Sequence, residues 1–236
     1  MRGIKNVNIS KDNTKSTVDI KIQGGFKYDI DSDSQDIKVN IEPKEDFKPS
    51  PQPGLKPLEG KTIVLDPGHG GSNTGAVGNG LLEKEVVLEI SLIAEKKLKD
   101  QGANVLLTRR QDRRVSLSER VRVANDNNAD IFVSVHVNGF TDPTARGTET
   151  YWYTRGSSSS RRLAQIMQRR MLSALNRRDR GVKQANFYVL RETDMPAVLL
   201  EPLFITNPEE AELIQRKETK EKIAEVILNG IIEFYS

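Results

Sequence analysis

The chain contains only two histidines, and each ends an apolar, strand-like run. His69 closes the run that begins at Ile63, and His136 closes the run that begins at Ile131. A single histidine after a strand is more often a hydrogen-bonded structural residue than a ligand. Open α/β sheets, however, place their ligand chemistry just beyond the carboxyl ends of the strands. We therefore expect the two imidazoles to meet in one cleft and to bind a metal ion.

A carboxylate is available to complete such a site. Glu83 follows the glycine-rich loop after His69 and stands at the start of a helical pattern, with Glu85 and Glu89 close behind it. A catalytic zinc ion commonly takes two histidines and one carboxylate, which leaves a fourth position for water. The chain has no cysteine, so no thiolate can compete for the metal. The residues indicate a zinc hydrolase, although spacing alone does not choose among the three glutamates.

Two other interpretations of the same residues are less favoured. The loop at 68–75 is rich enough in glycine to cradle a phosphate, but it lacks the Gly-Lys-Ser/Thr ending of a P-loop. Ser134 lies two residues before His136 and would face the same way on a strand. No Gly-x-Ser-x-Gly elbow surrounds it, so a serine nucleophile is not predicted.

Glu201 is the best candidate for moving protons during hydrolysis. It ends the apolar run 197–200, and a carboxylate at the end of a buried strand is costly unless it is hydrogen-bonded, paired or near a metal. Hydrolysis of an amide needs an acceptor for the proton of water and a donor for the leaving amine. The alternative is an acid that caps a strand at the surface.

Asn138, two residues beyond His136, would share the face of that ligand and could hold substrate.

Strands and helices alternate from Lys61 onward, and they would position these residues. The hydrophobic patterns predict strands at 62–66, 103–108, 131–137, 148–154, 186–190 and 197–200. They predict helices at about 84–100, 116–127, 159–176, from 208, and at about 218–234. Repeated β-then-α units are typical of an α/β fold with a mostly parallel, twisted sheet flanked by helices.

The chain before this part has a different pattern. Residues 1–42 predict a small β segment with period-two alternation at 17–22 and 36–41. Residues 43–60 carry five of the ten prolines and predict a proline-rich linker, which places the catalytic domain at 61–236. The β segment is too short to bury much core by itself, and we expect it to be dispensable for the chemistry.

Composition excludes several classes of protein. With 36% hydrophobic and 29% charged residues, the chain is neither a disordered nor a membrane-spanning type, and it has no apolar run of about 18 residues. Eight arginines against one acidic residue lie between Arg155 and Arg180. They indicate either a solvated helix face or a surface that attracts an anionic partner. No nucleic-acid-binding motif accompanies the charge, so nucleic acid is not expected as a partner.

Several stretches together carry a family resemblance over about residues 61–236. They are Asp66-Pro67-Gly68-His69-Gly70-Gly71, Gly80-Leu81-Leu82-Glu83-Lys84, Ser134-Val135-His136-Val137-Asn138, Arg146-Gly147-Thr148-Glu149-Thr150, and Glu201 before Thr206-Asn207-Pro208-Glu209-Glu210. The chain resembles the zinc-dependent N-acetylmuramoyl-L-alanine amidases, the cell-wall amidase type 3 family. One departure is Leu203, since the family usually has a small residue two positions after the catalytic glutamate. It bears on the fit of substrate rather than on the chemistry.

The resemblance implies a role for each matching residue. Those that match His69, Glu83 and His136 bind zinc in this family, which favours Glu83 over the neighbouring glutamates, and the one that matches Glu201 is catalytic. Zinc-activated water would then hydrolyse the amide between N-acetylmuramic acid and the L-alanine of the peptidoglycan stem peptide. We also expect Asn138, Arg146 and Glu149 to bind substrate.

The resemblance also implies partners and a location. Peptidoglycan is the expected partner, and a protein activator is left open. The expected location is extracytoplasmic, either secreted or associated with the cell wall, although the first residues contain no signal peptide. The N-terminal strands resemble the second half of an AMIN domain. A zinc peptidase and a non-catalytic wall-binding protein are the competing hypotheses.

Overall fold

The structure, a computed structural model, describes residues 4–11, 16–22, 26–32, 37–43 and 56–236. It divides into two units, Met1–Leu55 and Lys56–Ser236. No helix among the described residues is long and apolar enough to cross a membrane.

The first unit contains two antiparallel strand pairs in its described residues. Strand β1 (Ile4–Lys11) pairs with β2 (Ser16–Ile22), and β3 (Phe26–Ser32) pairs with β4 (Ile37–Pro43). The strands predicted at 17–22 and 36–41 correspond to β2 and β4. Membership of an AMIN domain stays a prediction, and residues 44–55 of the predicted linker lie outside the described residues.

The second unit is built on a six-stranded sheet with the order β11-β10-β12-β9-β5-β8. Its strands, together with the short hairpin β6–β7, are β5 (Thr62–Pro67), β6 (Val77–Gly78), β7 (Leu81–Leu82), β8 (Asn104–Leu107), β9 (Ile131–Val135), β10 (Thr148–Trp152), β11 (Asp179–Gln184) and β12 (Ala197–Glu201). Within the sheet, only the β10–β12 pair is antiparallel. The prediction of a mostly parallel sheet is confirmed.

Helices cover both faces of this sheet. They are α1 (Glu83–Asp100), α2 (Leu117–Asn125), α3 (Ser160–Leu175), α4 (Tyr188–Arg191), α5 (Pro208–Gln215) and α6 (Lys217–Tyr235). Successive side chains of a strand point to opposite faces. Accordingly, Ile63 and Leu65 of β5 enter a core shared with α1, α3 and α6, and Val64 between them enters a second core shared with α2 and α4.

The predicted strand at 186–190 is wrong. Residues 188–191 form the short helix α4, and the strand beside β10 is β11. The apolar run at 187–190 is typical of a strand, but Val189 and Leu190 lie on the helical turn α4 and are buried in the smaller core. Strand β11 is largely polar because it lies at the edge of the sheet and is half-exposed, a position where charged residues are common.

The end of the predicted linker is also corrected. Leu58 is fully buried in the larger core, and its backbone N–H donates to the carbonyl oxygen of Gln101 at 2.9 Å. Residues 56–60 therefore belong to the second unit, and the linker predicted at 43–60 would end before residue 56. Proline density indicates an extended chain, but it does not show where one apolar side chain anchors that chain to a core.

Candidate metal centre and its cleft

The three residues predicted as metal ligands meet beyond the ends of two neighbouring strands. His69 follows β5, His136 follows β9, and Glu83 is the first residue of α1. Glu83 Oε1 lies 3.1 Å from Nε2 of His69 and 2.8 Å from Nδ1 of His136. The two histidine nitrogens are 3.1 Å apart. Glu85 and Glu89 are exposed on α1, so the structure brings only Glu83 to the histidines.

The Glu83 carboxylate is held in place by backbone groups. The side chain is buried, and Oε2 accepts the N–H of Ala76 at 2.7 Å while Oε1 accepts the N–H of Val137 at 3.2 Å. Burial alone would raise the pKa of Glu83, but hydrogen bonds from His136 and His69 outweigh it and hold that pKa well below its usual range. Burial lowers the pKa of His69, and its contacts with Glu83 raise it by more, so the net shift is upward. The site therefore favours a charged carboxylate.

The glycine-rich loop is shaped by the space that the ligands occupy. A Cβ atom on Gly68 would lie 2.3 Å from Cε1 of His136, and one on Gly75 would lie 2.5 Å from Oε2 of Glu83. His69 itself has a φ of 59°, a left-handed conformation that is uncommon outside glycine. The glycines thus let the backbone pass directly against the ligands, and the loop does not need a phosphate to explain its composition.

Glu201 lies at the carboxyl end of β12 and lines the same cleft. Its Oε2 atom is buried and has no hydrogen-bond partner among the described residues. Burial, together with the negative charges of Glu83 and Glu149, raises the pKa of Glu201 well above its usual value. A buried carboxylate beside a second carboxylate is stabilised by a nearby cation.

The donor set fits a zinc ion. Two histidine nitrogens and one carboxylate oxygen lie within 4.8 Å of one another. This combination is the common protein ligand set of catalytic zinc, and three protein ligands leave a position for water or substrate. The unpartnered oxygen of Glu201 in the same cleft is consistent with a cation at this point.

The cleft around these residues is large and partly apolar. Its volume is about 980 Å³, in the range of small-molecule and cofactor sites. Leu117 and Phe187 are exposed apolar residues of its lining, and Arg114 also lines the cleft. The opening can therefore accept a substrate that has both apolar and anionic groups.

The three predicted substrate-binding residues lie in different places. Asn138 lines the cleft, and its Nδ2 donates to Oε1 of Glu149 at 2.6 Å. Glu149 is almost fully buried, and it also accepts hydrogen bonds from Tyr151, Arg180 and Lys183 at 2.7, 2.7 and 2.5 Å. Glu149 therefore orients Asn138 and is not itself among the residues that line the cleft.

Arg146 also lies outside the cleft lining. Its guanidinium is exposed and lies 3.8 Å from a carboxylate oxygen of Glu209, so the structure does not bring it to the site. In the arginine-rich segment, Arg162 donates to the carbonyl oxygen of Phe234, and Arg169 and Arg170 both contact Glu233. These arginines join α3 to α6, which favours the solvated-face interpretation over an anion-binding surface.

Sequence reasoning missed a buried polar network behind the ligands. Asp66, Arg109 and Arg120 are at most 3% exposed, and their hydrogen bonds reach the backbone around His69. The available signal was a charged residue at the end of a predicted strand, with Asp66 as the last residue of one and Arg109 directly after another. Burial of these groups could not be told from the one-dimensional pattern.

Comparison with known proteins is consistent with this geometry. Residues 63–233 match the family described as N-acetylmuramoyl-L-alanine amidase (Amidase_3). The Bacillus subtilis protein YqiI, named as uncharacterized, is 46% identical over 181 residues, which are 76% of this chain and 87% of YqiI. The N-acetylmuramoyl-L-alanine amidase LytC of Bacillus subtilis is 43% identical over 180 residues, which are 76% of this chain but 36% of LytC.

Solved structures show the same fold. An N-acetylmuramoyl-L-alanine amidase from Clostridium difficile 630 superimposes with a TM-score of 0.71 at 36% identity, covering 74% of this chain and 96% of that one. The CwlD amidase from Clostridioides difficile, solved in complex with the GerS lipoprotein, has a TM-score of 0.71 at 30% identity and covers 74% of this chain and 98% of its own.

The Glu149 network gives a prediction about acid stability. Cationic and hydroxyl partners lower the pKa of Glu149 from 4.5 to about 2 despite its burial. The charged form is thus favoured by folding, so its contribution is complete above about pH 4.5 and is lost as the pH falls toward 2. Glu149→Gln should lower the free energy of unfolding by about 1–3 kcal/mol at pH 7. The difference from the parent should shrink between pH 4.5 and 2.

The free energy of unfolding of the second unit can be measured by urea unfolding. The fluorescence of Trp152, the single tryptophan, follows the transition. Glu209→Gln is the matched control, since Glu209 is exposed and its ion pairs should contribute less than about 1 kcal/mol. A Glu149→Gln deficit that is absent at pH 7, or that does not change with pH, would contradict the assignment.

Proposed function

The chain belongs to the N-acetylmuramoyl-L-alanine amidase family, and we propose that it works with a zinc ion held by His69, Glu83 and His136. The reaction of this family is hydrolysis of the amide between N-acetylmuramic acid and L-alanine in peptidoglycan. The observation that carries the zinc proposal is the convergence of two imidazole nitrogens on one buried carboxylate oxygen, at 3.1 and 2.8 Å.

Zinc in this position supplies a Lewis acid, which polarises a carbonyl group and acidifies water to a pKa of about 7. The chain itself supplies the orientation of the ligands. Backbone amides of Ala76 and Val137 fix the Glu83 carboxylate, and Asn73 fixes the His69 ring with a 3.0 Å contact at Nδ1. Such partners keep a ligand ring and carboxylate in the conformation that binds metal.

Glu201 is the proposed general base and general acid. Its unpartnered oxygen can accept a proton from the attacking water and then deliver it to the departing nitrogen of L-alanine. A pKa above the usual glutamate value suits a group that must hold this proton between the two transfers. Because the carboxylate sits in the cleft and not on the surface, the transferred proton is kept beside the reacting atoms.

Asn138, which lines the cleft two residues after His136, is a proposed substrate contact. One of its N–H bonds is used by Glu149, so its second N–H and its carbonyl oxygen remain for an amide of the substrate. Glu149 acts through Asn138 by fixing the orientation of that side chain. Stem-peptide carboxylates would meet Arg114 at the edge of the cleft.

We further propose that the protein acts on the cell wall outside the cytoplasm. This proposal is supported by the relative LytC, an N-acetylmuramoyl-L-alanine amidase, and by the cleft volume of about 980 Å³, which leaves room for part of a glycan–peptide substrate. A protein partner is a separate proposal, supported by the complex that CwlD forms with a lipoprotein.

Zinc binding can be tested with single substitutions. The chain should bind about one zinc ion, and His136→Ala should lose it while the sheet stays folded, because the core beneath the site is apolar. Glu83→Gln should also lose zinc, whereas the control Glu85→Gln on the exposed face of α1 should keep it. Metal content after dialysis and circular dichroism measure the two properties. Full metal content in the double variant His69→Ala, His136→Ala, which contains no histidine, would rule out this site.

The role of Glu201 can be separated from zinc binding. Glu201→Gln keeps the shape of the side chain but cannot take up a proton, so turnover should fall by about 10²-fold or more. Zinc content should stay near that of the parent, and Glu85→Gln should keep parental turnover. Release of stem peptide from soluble muropeptides provides the rate. A near-parental rate in Glu201→Gln would move proton transfer to another group.

A further inference from the structure

One buried guanidinium contacts two of the segments that carry metal ligands. Arg109 follows β8 and is 1% exposed. Its Nη2 atom donates to the carbonyl oxygen of Gly68 and to that of Lys84, each at 2.7 Å. Gly68 directly precedes His69, and Lys84 directly follows Glu83. A single nitrogen thus joins the backbone beside one ligand to the backbone beside another.

A second guanidinium holds the backbone of a ligand itself. Arg120, on α2, donates to the carbonyl oxygen of His69 at 2.6 Å and to that of Pro67 at 2.7 Å. His69 has a left-handed backbone conformation, which residues other than glycine rarely adopt. Because such a conformation persists only where its surroundings hold it, this hydrogen bond contributes directly to the placement of the His69 ring.

Asp66 connects the same network to the third ligand. Its carboxylate accepts hydrogen bonds from Arg120 and from Thr108 Oγ1, both at 2.6 Å, and from Ser134 Oγ at 2.8 Å. Ser134 lies on β9, two residues before His136. The network therefore reaches the backbone next to His69 and Glu83 and a side chain two residues before His136. Asp66 and Arg120 also line the cleft, whereas Arg109 does not.

The charges of the network are not balanced. Arg120 is paired with Asp66, whereas the hydrogen bonds of Arg109 go only to carbonyl oxygens among the described residues, those of Pro67, Gly68, Lys84 and Gln111. A buried cation without an ion pair is costly, and an apolar side chain would fill the space without that cost. An apolar residue, however, could not donate hydrogen bonds to these four carbonyl oxygens, as the guanidinium does.

We infer that Arg109 and Arg120 are positioning residues that set the spacing of the zinc ligands through the backbone carbonyls. This inference rests on the proposed zinc site. Arg109 fixes the separation of the His69 and Glu83 segments, and Arg120 fixes the unusual backbone conformation of His69. Neither residue belongs to the proposed ligand set.

Arg109→Lys tests the inference in the full chain, because lysine keeps the charge but lacks the planar fork that bonds several carbonyls in fixed directions. Zinc affinity, measured by competition with a chromophoric chelator, should fall by about 10–100-fold, the usual effect of losing a group that orients a ligand. The absorption bands of Co²⁺ bound in place of zinc should change in position or intensity. Arg110→Lys is the matched control. Arg110 is the next residue, is itself exposed and pairs with Glu95 of α1, away from the ligand segments, so its replacement should leave zinc affinity within about twofold.

Arg120→Lys provides the second variant, with the same expected loss. Metal-free melting temperature and circular dichroism are recorded for each protein. A purely structural role would lower the melting temperature and leave the metal affinity and Co²⁺ spectrum of the folded protein unchanged, and that result would overturn the inference. Failure of both variants to fold would also overturn it, since the arginines would then serve the fold rather than the ligands. A parent protein that does not bind zinc would instead refute the proposed function.

Discussion

The site depends on one buried carboxylate that two imidazoles share. Glu83 is 4% exposed, yet its charged form is favoured because His69 and His136 both face Oε1 and two backbone amides bind the carboxylate. Burial of this charge is costly unless such partners surround it. Placing those partners requires a backbone that runs closer to the ligands than any Cβ atom would allow, and Gly68 and Gly75 meet that requirement.

The sheet topology brings the functional groups together. Strands β12, β9 and β5 are adjacent and parallel, so Glu201, His136 and His69 emerge at the same edge. The proton-transfer candidate therefore lies beside the metal ligands although it is far from them in sequence. The one antiparallel pair within the six-stranded sheet, β10–β12, places Glu149 directly opposite Glu201. Glu149, which accepts a hydrogen bond from Asn138, therefore lies on the strand next to Glu201, the proposed base.

Sequence patterns could predict the strand ends and helix starts that carry the site. A histidine at the end of an apolar run identified His69 and His136, and the helix start identified the position of Glu83, since strand ends and helix starts converge in α/β folds. The choice of Glu83 over Glu85 and Glu89 came from family resemblance, and the structure brings only Glu83 to the histidines. Contacts between residues far apart in sequence were not predictable. No residue near Arg109 in sequence indicates that it bridges the segments of two ligands. Leu58 lies in a proline-rich stretch, and the sequence around it does not indicate that it is buried. Arg146 matched a family motif but lies outside the cleft.

Mass spectrometry of the products from purified peptidoglycan tests the central claim most directly, which is that the zinc-loaded site cleaves the amide between N-acetylmuramic acid and L-alanine. The full chain should release stem peptides that begin with a free L-alanine amino group and leave glycan strands with free lactyl carboxylates. Fragments cut between residues of the stem peptide, with the lactyl amide intact, would contradict the account and would identify the protein as a peptidase. The absence of any cleavage by the zinc-loaded protein would contradict it equally.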